Sequence, residues 1–178
     1  MIDLKYIQLT EEENVKILDM AQRMVKFKED KLNLKQGAKD DVYYNRMGFS
    51  GELAVHKYFN VPYRFEFQKS RTLVDIMLKY EGVPKMCDIK TNDVAWLRVP
   101  EWHIDNPDKW LRKGEKPPQI YIFVEMQDPD FYEFAIHGII SKKRFERIAH
   151  KQKFRSFMYC LDKGLQDYEL QSIDLLTA

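Results

Sequence analysis

The stretch LVDIMLKY at residues 73–80, with PKMCDIKTN following at residues 84–92, decides how this sequence folds. Both runs are short and rich in apolar and β-branched residues, as strands are. Between them lie Glu81 and Gly82, and a glycine there can adopt the positive φ of a tight turn. The pattern predicts an antiparallel β-hairpin with a two-residue turn, in which Tyr80 faces Val83.

This register places two acidic side chains face to face. Counted back from the turn, Asp75 lies opposite Asp88 in a pair without backbone hydrogen bonds, with Cβ atoms roughly 4.5–5.5 Å apart. Lys90 follows Asp88 by two residues and so projects from the same face. The apolar side chains on the other face are predicted to enter the core: Val74, Ile76, Leu78, Cys87 and Ile89.

Two acids that face each other need a counter-charge. Like charges directly opposite one another destabilise a sheet, and a divalent cation between them removes that cost. Magnesium is usually held by one or two carboxylates together with a phosphate. A third acid, Glu52 after Gly51, lies in a predicted helix upstream. Three carboxylates and one ammonium can hold a cation beside an activated water, which is what hydrolysis of a phosphodiester requires.

These residues resemble the motif of the PD-(D/E)xK phosphodiesterase superfamily, the restriction-endonuclease-like nucleases. Asp75 matches the first acid, Asp88-Ile89-Lys90 matches the D-x-K element, and Glu52 matches the helix acid; Val74 stands where the family's name has proline. The resemblance covers residues 46–140, and the predicted order of helix, strands, D-x-K strand, two further strands and helix is similar to the family core. The segment FAIHGIIS at residues 134–141, leading to Phe145, is also similar to a strand-to-helix segment of these nucleases.

The resemblance implies both a fold and a chemistry. The fold is a restriction-endonuclease-like α/β core, with a mixed central β-sheet flanked by helices and an N-terminal helical segment. The implied catalytic residues are Glu52, Asp75, Asp88 and Lys90. The implied metal ligands are Asp75, Asp88, the backbone carbonyl of Ile89, and Glu52, holding one or two Mg²⁺ ions for which Mn²⁺ can substitute. Lys90 would orient the attacking water and stabilise negative charge in the transition state.

The composition sets the frame for this interpretation. A chain of 178 residues suits one domain, divided here into an N-terminal helical extension (1–44), a core (45–150) and a C-terminal extension (151–178). Its 44% of hydrophobic residues excludes a disordered protein. Two cysteines, a start without a signal-peptide pattern, and no apolar run near the ~20 residues of a membrane span predict a cytoplasmic protein without a membrane partner.

Further helices and strands follow from local signals. Thr10 is the predicted N-cap of a first helix, with Glu13 completing a capping box. After a polar connection at residues 31–41, a second helix is predicted from about Val42 or Gly48 to Phe59, ended by Pro62. Later elements are predicted as strands at 63–68, 119–126 and 131–140, a helix from Ser141 to about His150, and an edge strand at 168–173.

A net charge of +1 neither predicts nor excludes a nucleic-acid partner, so contacts must come from local basic groups. Basic residues beside the three tryptophans of segment 91–118 suit neutralisation of phosphates together with base stacking. DNA is the expected partner, rather than RNA, and a homodimer is plausible because nucleases that break both strands commonly pair two sites. The candidate DNA-contacting residues are Arg46, Lys69, Arg71, Arg98, Lys109, Arg112 and Lys113.

Plainer interpretations of the same residues stay open. Asp75 and Lys90 could form a surface ion pair contributing only ~0–1 kcal/mol. Glu52 could be a first-turn acid favoured by the helix dipole, and Gly48 and Gly51 could be turn residues. For the whole chain, the alternative is a catalytically inactive nuclease-fold module that binds DNA or a protein. A third hypothesis is an interaction domain that assembles through its first helix.

Other catalytic motifs are missing from the sequence. None of the four histidines has the H-E-x-x-H spacing, and neither Cys87 nor Cys160 has a C-x-x-C partner, so a structural zinc site is not expected. No glycine-rich phosphate loop or dinucleotide-binding motif is present. His56 lies one helical turn after Glu52 and could approach the acidic site.

Overall fold

The structure, a computed structural model, describes residues 3–32, 38–65, 75–93, 102–105, 116–148, 150–152, 155–161 and 170–178. Its helices are α1 (Glu11–Leu32), α2 (Ala38–Tyr58) and α3 (Lys142–Ile148), with a short 3₁₀ helix at Ile173–Leu175. Its strands are β1 (Lys5–Gln8), β2 (Ile76–Tyr80), β3 (Val83–Asp93), β4 (Trp102–Asp105), β5 (Ile120–Met126), β6 (Glu133–Ser141), β7 (His150–Gln152), β8 (Arg155–Leu161) and β9 (Leu176–Thr177). The predicted mixed α/β class is confirmed; the restriction-endonuclease-like core stays a prediction.

A mixed six-stranded sheet forms the centre of the fold, in the order β1-β6-β5-β3-β2-β9. Strands β3 and β5 are parallel, and the other neighbours in this sheet are antiparallel. A separate three-stranded sheet has the order β4-β8-β7. Strand β5 lies inside the large sheet, and all its residues except Glu125 are buried, as the nearly unbroken apolar run at 119–126 predicts.

The hairpin of β2 and β3 has the predicted register. Tyr80 pairs with Val83, and Ile76 pairs with Cys87. Both turn residues have positive φ, 51° at Glu81 and 75° at Gly82, as a type I′ turn requires. Ile76, Leu78, Cys87 and Ile89 are all buried, so the predicted core face is confirmed for the described residues; Val74 lies outside them.

Helices α1 and α2 pack together and cover the core face of the sheet. The N-terminus of α1 has the predicted capping box: the Thr10 N–H donates to Glu13 Oε2 (2.8 Å), and the Glu13 N–H donates to Thr10 Oγ1 (3.2 Å). Along α1, buried residues recur at Ile17, Met20, Ala21 and Met24, the spacing of one helical face. Burial of each large apolar side chain contributes about 1.5–3 kcal/mol to folding.

The end of α2 is built from backbone hydrogen bonds. Asn60 adopts a left-handed conformation (φ 53°), and the Val61 N–H donates to the His56 carbonyl at 2.9 Å, which is a Schellman-type helix end. The chain therefore leaves the helix before Pro62, as predicted. The start of α2 was predicted too late, because residues 38–41 carry few apolar side chains yet continue the helix.

Two strand predictions need correction, and one strand of the large sheet was not predicted. Residues 63–65 form no strand, because no described strand pairs with them, and the Tyr63 ring packs against His56; residues 66–68 lie outside the described part of the chain. Of the predicted edge strand at 168–173, residues 168–169 also lie outside the described part; the described residues form only an isolated bridge from Gln171 to Ile139, and the edge strand is β9. The unpredicted β1 pairs with β6, so the N-terminal segment contributes a strand to the sheet as well as a helix.

None of the helices among the described residues has a stretch long and apolar enough to cross a membrane.

Gly48 and Gly51 both lie inside α2, so their interpretation as turn residues is wrong.

Candidate functional site

The acidic residues meet where β2 and β3 part. Strand β2 begins at Ile76, whereas β3 continues to Asp93, and among the described residues β3 has no partner on the β2 side beyond Cys87. Asp75 lies just before β2, and its Oδ2 accepts a hydrogen bond from the Ile89 N–H at 2.7 Å. The Asp75 side chain thus takes the place of a backbone acceptor and is held against β3.

Asp88 and Lys90 project from the same face of β3 and form an ion pair. Asp88 is buried, with 5% of its surface exposed. Lys90 Nζ lies 3.1 Å from Asp88 Oδ1 and 2.8 Å from Oδ2. The contact to Oδ1 has the geometry of a hydrogen bond; the ammonium is also close to Oδ2, which no donor among the described residues approaches with hydrogen-bond geometry.

The two aspartates share an environment that resists negative charge. Burial raises the pKa of Asp88 to about 7; Lys90 acts to lower it, and the negative charge of Asp75 raises it further. Burial also raises the pKa of Asp75 to about 6, and the negative charge of Glu52 adds to the rise, while the Ile89 N–H opposes it. Part of Asp75 is still exposed, but its carboxyl group points inward to Ile89. The pair would be stabilised by additional positive charge.

Glu52 comes to this site because α2 passes very close to β3. A Cβ atom on Gly51 would lie 1.9 Å from Thr91 Oγ1, so only glycine allows this crossing without displacement. Glu52, the next residue, is half-buried and close enough for its charge to act on Asp75. The Tyr63 hydroxyl donates to Glu52 Oε2 at 3.4 Å, which is a long and weak hydrogen bond.

His56 links α2 to the backbone around the site. Its Nε2 lies 3.2 Å from the Asp75 carbonyl oxygen, and its Nδ1 lies 3.1 Å from the Pro62 carbonyl oxygen. Carbonyl oxygens only accept, so the tautomer of a neutral ring decides which of these hydrogen bonds forms. The Tyr63 ring packs edge-to-face on the imidazole, with centroids 5.1 Å apart. A neutral His56 therefore donates to one of these two carbonyl groups and lies close to the other.

The residues brought together fit a hard divalent cation in their chemistry. Asp75, Asp88, Glu52 and the Ile89 carbonyl are all oxygen donors, the ligands that Mg²⁺ prefers. The buried Asp88 Oδ2 without a hydrogen-bond donor and the mutual repulsion of the acids both favour a cation at this point. Within the described ranges, however, no three His, Cys, Asp or Glu side chains already surround a common point. Coordination by all three acids therefore requires their side chains to reorient.

Arg46, a predicted phosphate contact, is engaged inside the protein. Its Nη2 donates to Asn14 Oδ1 at 2.7 Å and lies 3.5 Å from the Asp130 carbonyl oxygen. Its guanidinium carbon lies 4.1 Å from the centre of the Phe131 ring. Arg46 thus joins α2 to α1 and to the turn before β6. The other predicted DNA contacts lie outside the described residues: Lys69, Arg71, Arg98, Lys109, Arg112 and Lys113.

Two residues near the acids were not identified from the sequence. Tyr63 belonged to a predicted strand, and its only signal was its position just after the Pro62 that ends the helix. Thr91, one residue beyond Lys90, gave no local indication that α2 crosses there. Cys87 is not a candidate metal ligand, because burial raises the pKa of its thiol to about 12 and keeps it protonated.

The structure thus places Asp75, Asp88 and Lys90 together where β2 and β3 part, with Glu52 close enough for its charge to act on Asp75. No family model matches this chain, and neither a curated protein nor a solved structure matches it.

Proposed function

We propose that the protein is a metal-dependent nuclease that hydrolyses phosphodiester bonds, with DNA as its substrate. One observation carries the proposal: the buried Asp88, paired with Lys90, lies beside Asp75 where β2 and β3 separate, within reach of the charge of Glu52. Perturbed carboxyl groups beside a lysine are typical of sites that perform acid–base or metal chemistry.

The charge balance argues against a simple structural ion pair. An exposed lysine–aspartate pair contributes ~0–1 kcal/mol and needs no function to explain it. Here the pair is largely buried, and the charges of Asp75 and Glu52 act on the same place. Clustered buried acids cost stability, so a protein without a use for the cluster would be more stable without it.

Each residue has a distinct role in this proposal. Asp75, Asp88, Glu52 and the Ile89 carbonyl would hold the metal ion. When bound, Mg²⁺ would lower the pKa of a water and polarise the phosphoryl oxygen. The ammonium of Lys90 orients the attacking water and stabilises the negative charge that develops on the phosphoryl oxygens. The Ile89 N–H keeps the Asp75 carboxylate directed at β3.

A cleavage assay with purified protein tests the proposal. Duplex, single-stranded and branched DNA and an RNA are incubated with Mg²⁺, with Mn²⁺, or with EDTA. We expect cleavage of DNA with either metal and none with EDTA. Asp88→Asn should lower the rate at least about 100-fold, the loss typical when a group that stabilises the transition state is removed.

The matched control for Asp88→Asn is Asp93→Asn. Asp93 is also a buried aspartate of β3, with 7% of its surface exposed, but its carboxylate accepts a hydrogen bond from the Tyr43 hydroxyl. We expect Asp93→Asn to keep its cleavage rate. Full activity of a folded Asp88→Asn protein would eliminate the proposed site. DNA binding without turnover under any metal condition would instead support the inactive binding module.

A further inference from the structure

We propose that a second site, at the end of the sheet where β3 and β5 begin, binds a nucleoside phosphate. The site is a cavity of about 440 Å³ where β3 and β5 begin, β6 ends and α3 starts. This volume lies in the range of roughly 300–1,000 Å³ that small-molecule sites occupy.

The cavity gathers positive charge. Lys85 on β3 and both Arg144 and Arg147 on α3 line it, and no carboxylate lies among its described lining residues. The nearest acid of α3, Glu146, is paired with Lys142 at 2.8 Å. Three cationic side chains that line one cavity favour an anionic ligand, and planar guanidinium groups match the oxygens of a phosphate.

Other lining residues suit the nucleoside part of such a ligand. Tyr80, which is half-buried, supplies an aromatic ring on which a base can stack, next to the buried side chains of Ile120 and Ile139. The Tyr80 hydroxyl accepts a hydrogen bond from Gln171 Nε2 at 3.3 Å, so the two side chains are held together at the cavity. Inorganic phosphate alone would leave the aromatic surface of Tyr80 uncovered.

The cavity is separate from the acidic site. Side chains alternate along a strand, so Lys85 shares its face of β3 with Cys87 and Ile89, whereas Asp88 and Lys90 project from the opposite face. The inference therefore does not depend on the nuclease proposal. The nucleoside phosphate could be a free nucleotide or one residue of a nucleic-acid strand, because both present the same phosphate and base.

Calorimetric titration in EDTA tests this inference without turnover. The probes are AMP, ATP, inorganic phosphate and a short single-stranded DNA. We expect saturable binding of a nucleotide probe and binding at least about tenfold weaker in the Arg144→Ala/Arg147→Ala protein and in Lys85→Ala, as loss of a charge-assisted hydrogen bond predicts. Lys143→Ala is the matched control, because Lys143 is exposed on the same helix and does not line the cavity.

The outcomes of these titrations distinguish a free nucleotide from a nucleotide within a strand, and they test the second site separately from the nuclease site. Tighter binding of the DNA than of AMP identifies a nucleotide within a strand as the ligand, and the reverse identifies a free nucleotide. No saturable nucleotide binding, equal binding of inorganic phosphate and AMP, or equal weakening by Lys143→Ala would overturn the inference. Arg147→Gln, checked by thermal denaturation, repeats the test if the double variant misfolds. Asp88→Asn should leave AMP binding intact. The result of this titration therefore does not depend on whether the cleavage assay supports the nuclease proposal.

Discussion

Two buried aspartates of β3, Asp88 and Asp93, are five residues apart and have opposite surroundings. Asp93 accepts a hydrogen bond from the neutral Tyr43 hydroxyl, and burial together with this contact raises the pKa of Tyr43. Asp88 instead lies beside another acid, with Lys90 as its cation. A buried acid with a neutral donor joins α2 to the sheet, whereas a buried acid beside a second acid is stable only with added positive charge. This contrast is the reason that we propose a functional role for Asp88 and a structural role for Asp93.

The largest expected effect is on cleavage when the cation of the site is removed. Lys90→Met keeps the length of the side chain and removes its charge, so Asp88 keeps its place while the developing negative charge loses its partner. We expect the rate of DNA cleavage with Mg²⁺ to fall at least about 100-fold. Lys26→Met, at an exposed position of α1, serves as the control. Equal rates for both variants would remove Lys90 from the mechanism.

The two aspartates should also differ in their effect on stability. Asp93→Asn weakens the hydrogen bond from Tyr43 by removing its charged acceptor, and we expect a loss of about 1 kcal/mol in the free energy of unfolding. Asp88→Asn removes a charge whose burial is unfavourable, so the metal-free protein should be equally stable or more stable at pH 8. Urea denaturation measures both. A larger loss of unfolding free energy for Asp88→Asn than for Asp93→Asn would show that the ion pair of Asp88 with Lys90 stabilises the fold.

The two glycines of α2 give a matched pair for the approach of Glu52 to the site. Gly51→Ala forces a Cβ to within 1.9 Å of Thr91 Oγ1, and we expect a loss of about 1–3 kcal/mol together with slower cleavage. Gly48 has nothing within 4 Å of such a Cβ, so Gly48→Ala should add roughly 0.5–1 kcal/mol through helix propensity. Urea denaturation measures the free energy of unfolding of both variants. Equal changes for Gly51→Ala and Gly48→Ala would mean that the close crossing at Thr91 does not contribute to stability.

A further prediction concerns pH. The folded-state pKa is about 7 for Asp88 and about 6 for Asp75, whereas an unfolded aspartate titrates near ~3.9. Between these values the folded chain binds more protons than the unfolded chain, so the free energy of unfolding without metal falls as pH rises from about 4 to 7. Asp88→Asn should flatten this fall, as urea denaturation at several pH values measures. A steeper fall in Asp88→Asn would contradict the assignment.

The hairpin and its acids could be predicted because their signals are local. Alternation in residues 73–92 and the Glu81-Gly82 turn determine which residues face each other, and the capping box of Thr10 and Glu13 is likewise contained within four residues. The strands β1 and β9 could not be predicted, because each is short and pairs with a partner distant in sequence.

The roles of Gly51 and Tyr63 at the site could not be predicted either, because they depend on how the helix and strand pack together. The role of Gly51 depends on how closely α2 passes β3, and a glycine alone does not distinguish a helix crossing from a turn. Tyr63 reaches Glu52 and His56 only because α2 ends at Tyr58 and the chain then turns back. Alternating residues at 63–68 suggested a strand, but these side-chain contacts determine the conformation of residues 63–65.

The most direct test is a calorimetric titration of Mn²⁺ into the wild-type protein, Asp88→Asn and Asp93→Asn at pH 8, where the site carboxylates are ionised. If the acids between β2 and β3 hold a cation, the wild type and Asp93→Asn will bind Mn²⁺ saturably, and Asp88→Asn will lose that binding. Indistinguishable titrations for Asp88→Asn and the wild type, or no saturable binding to the wild type, would contradict the account.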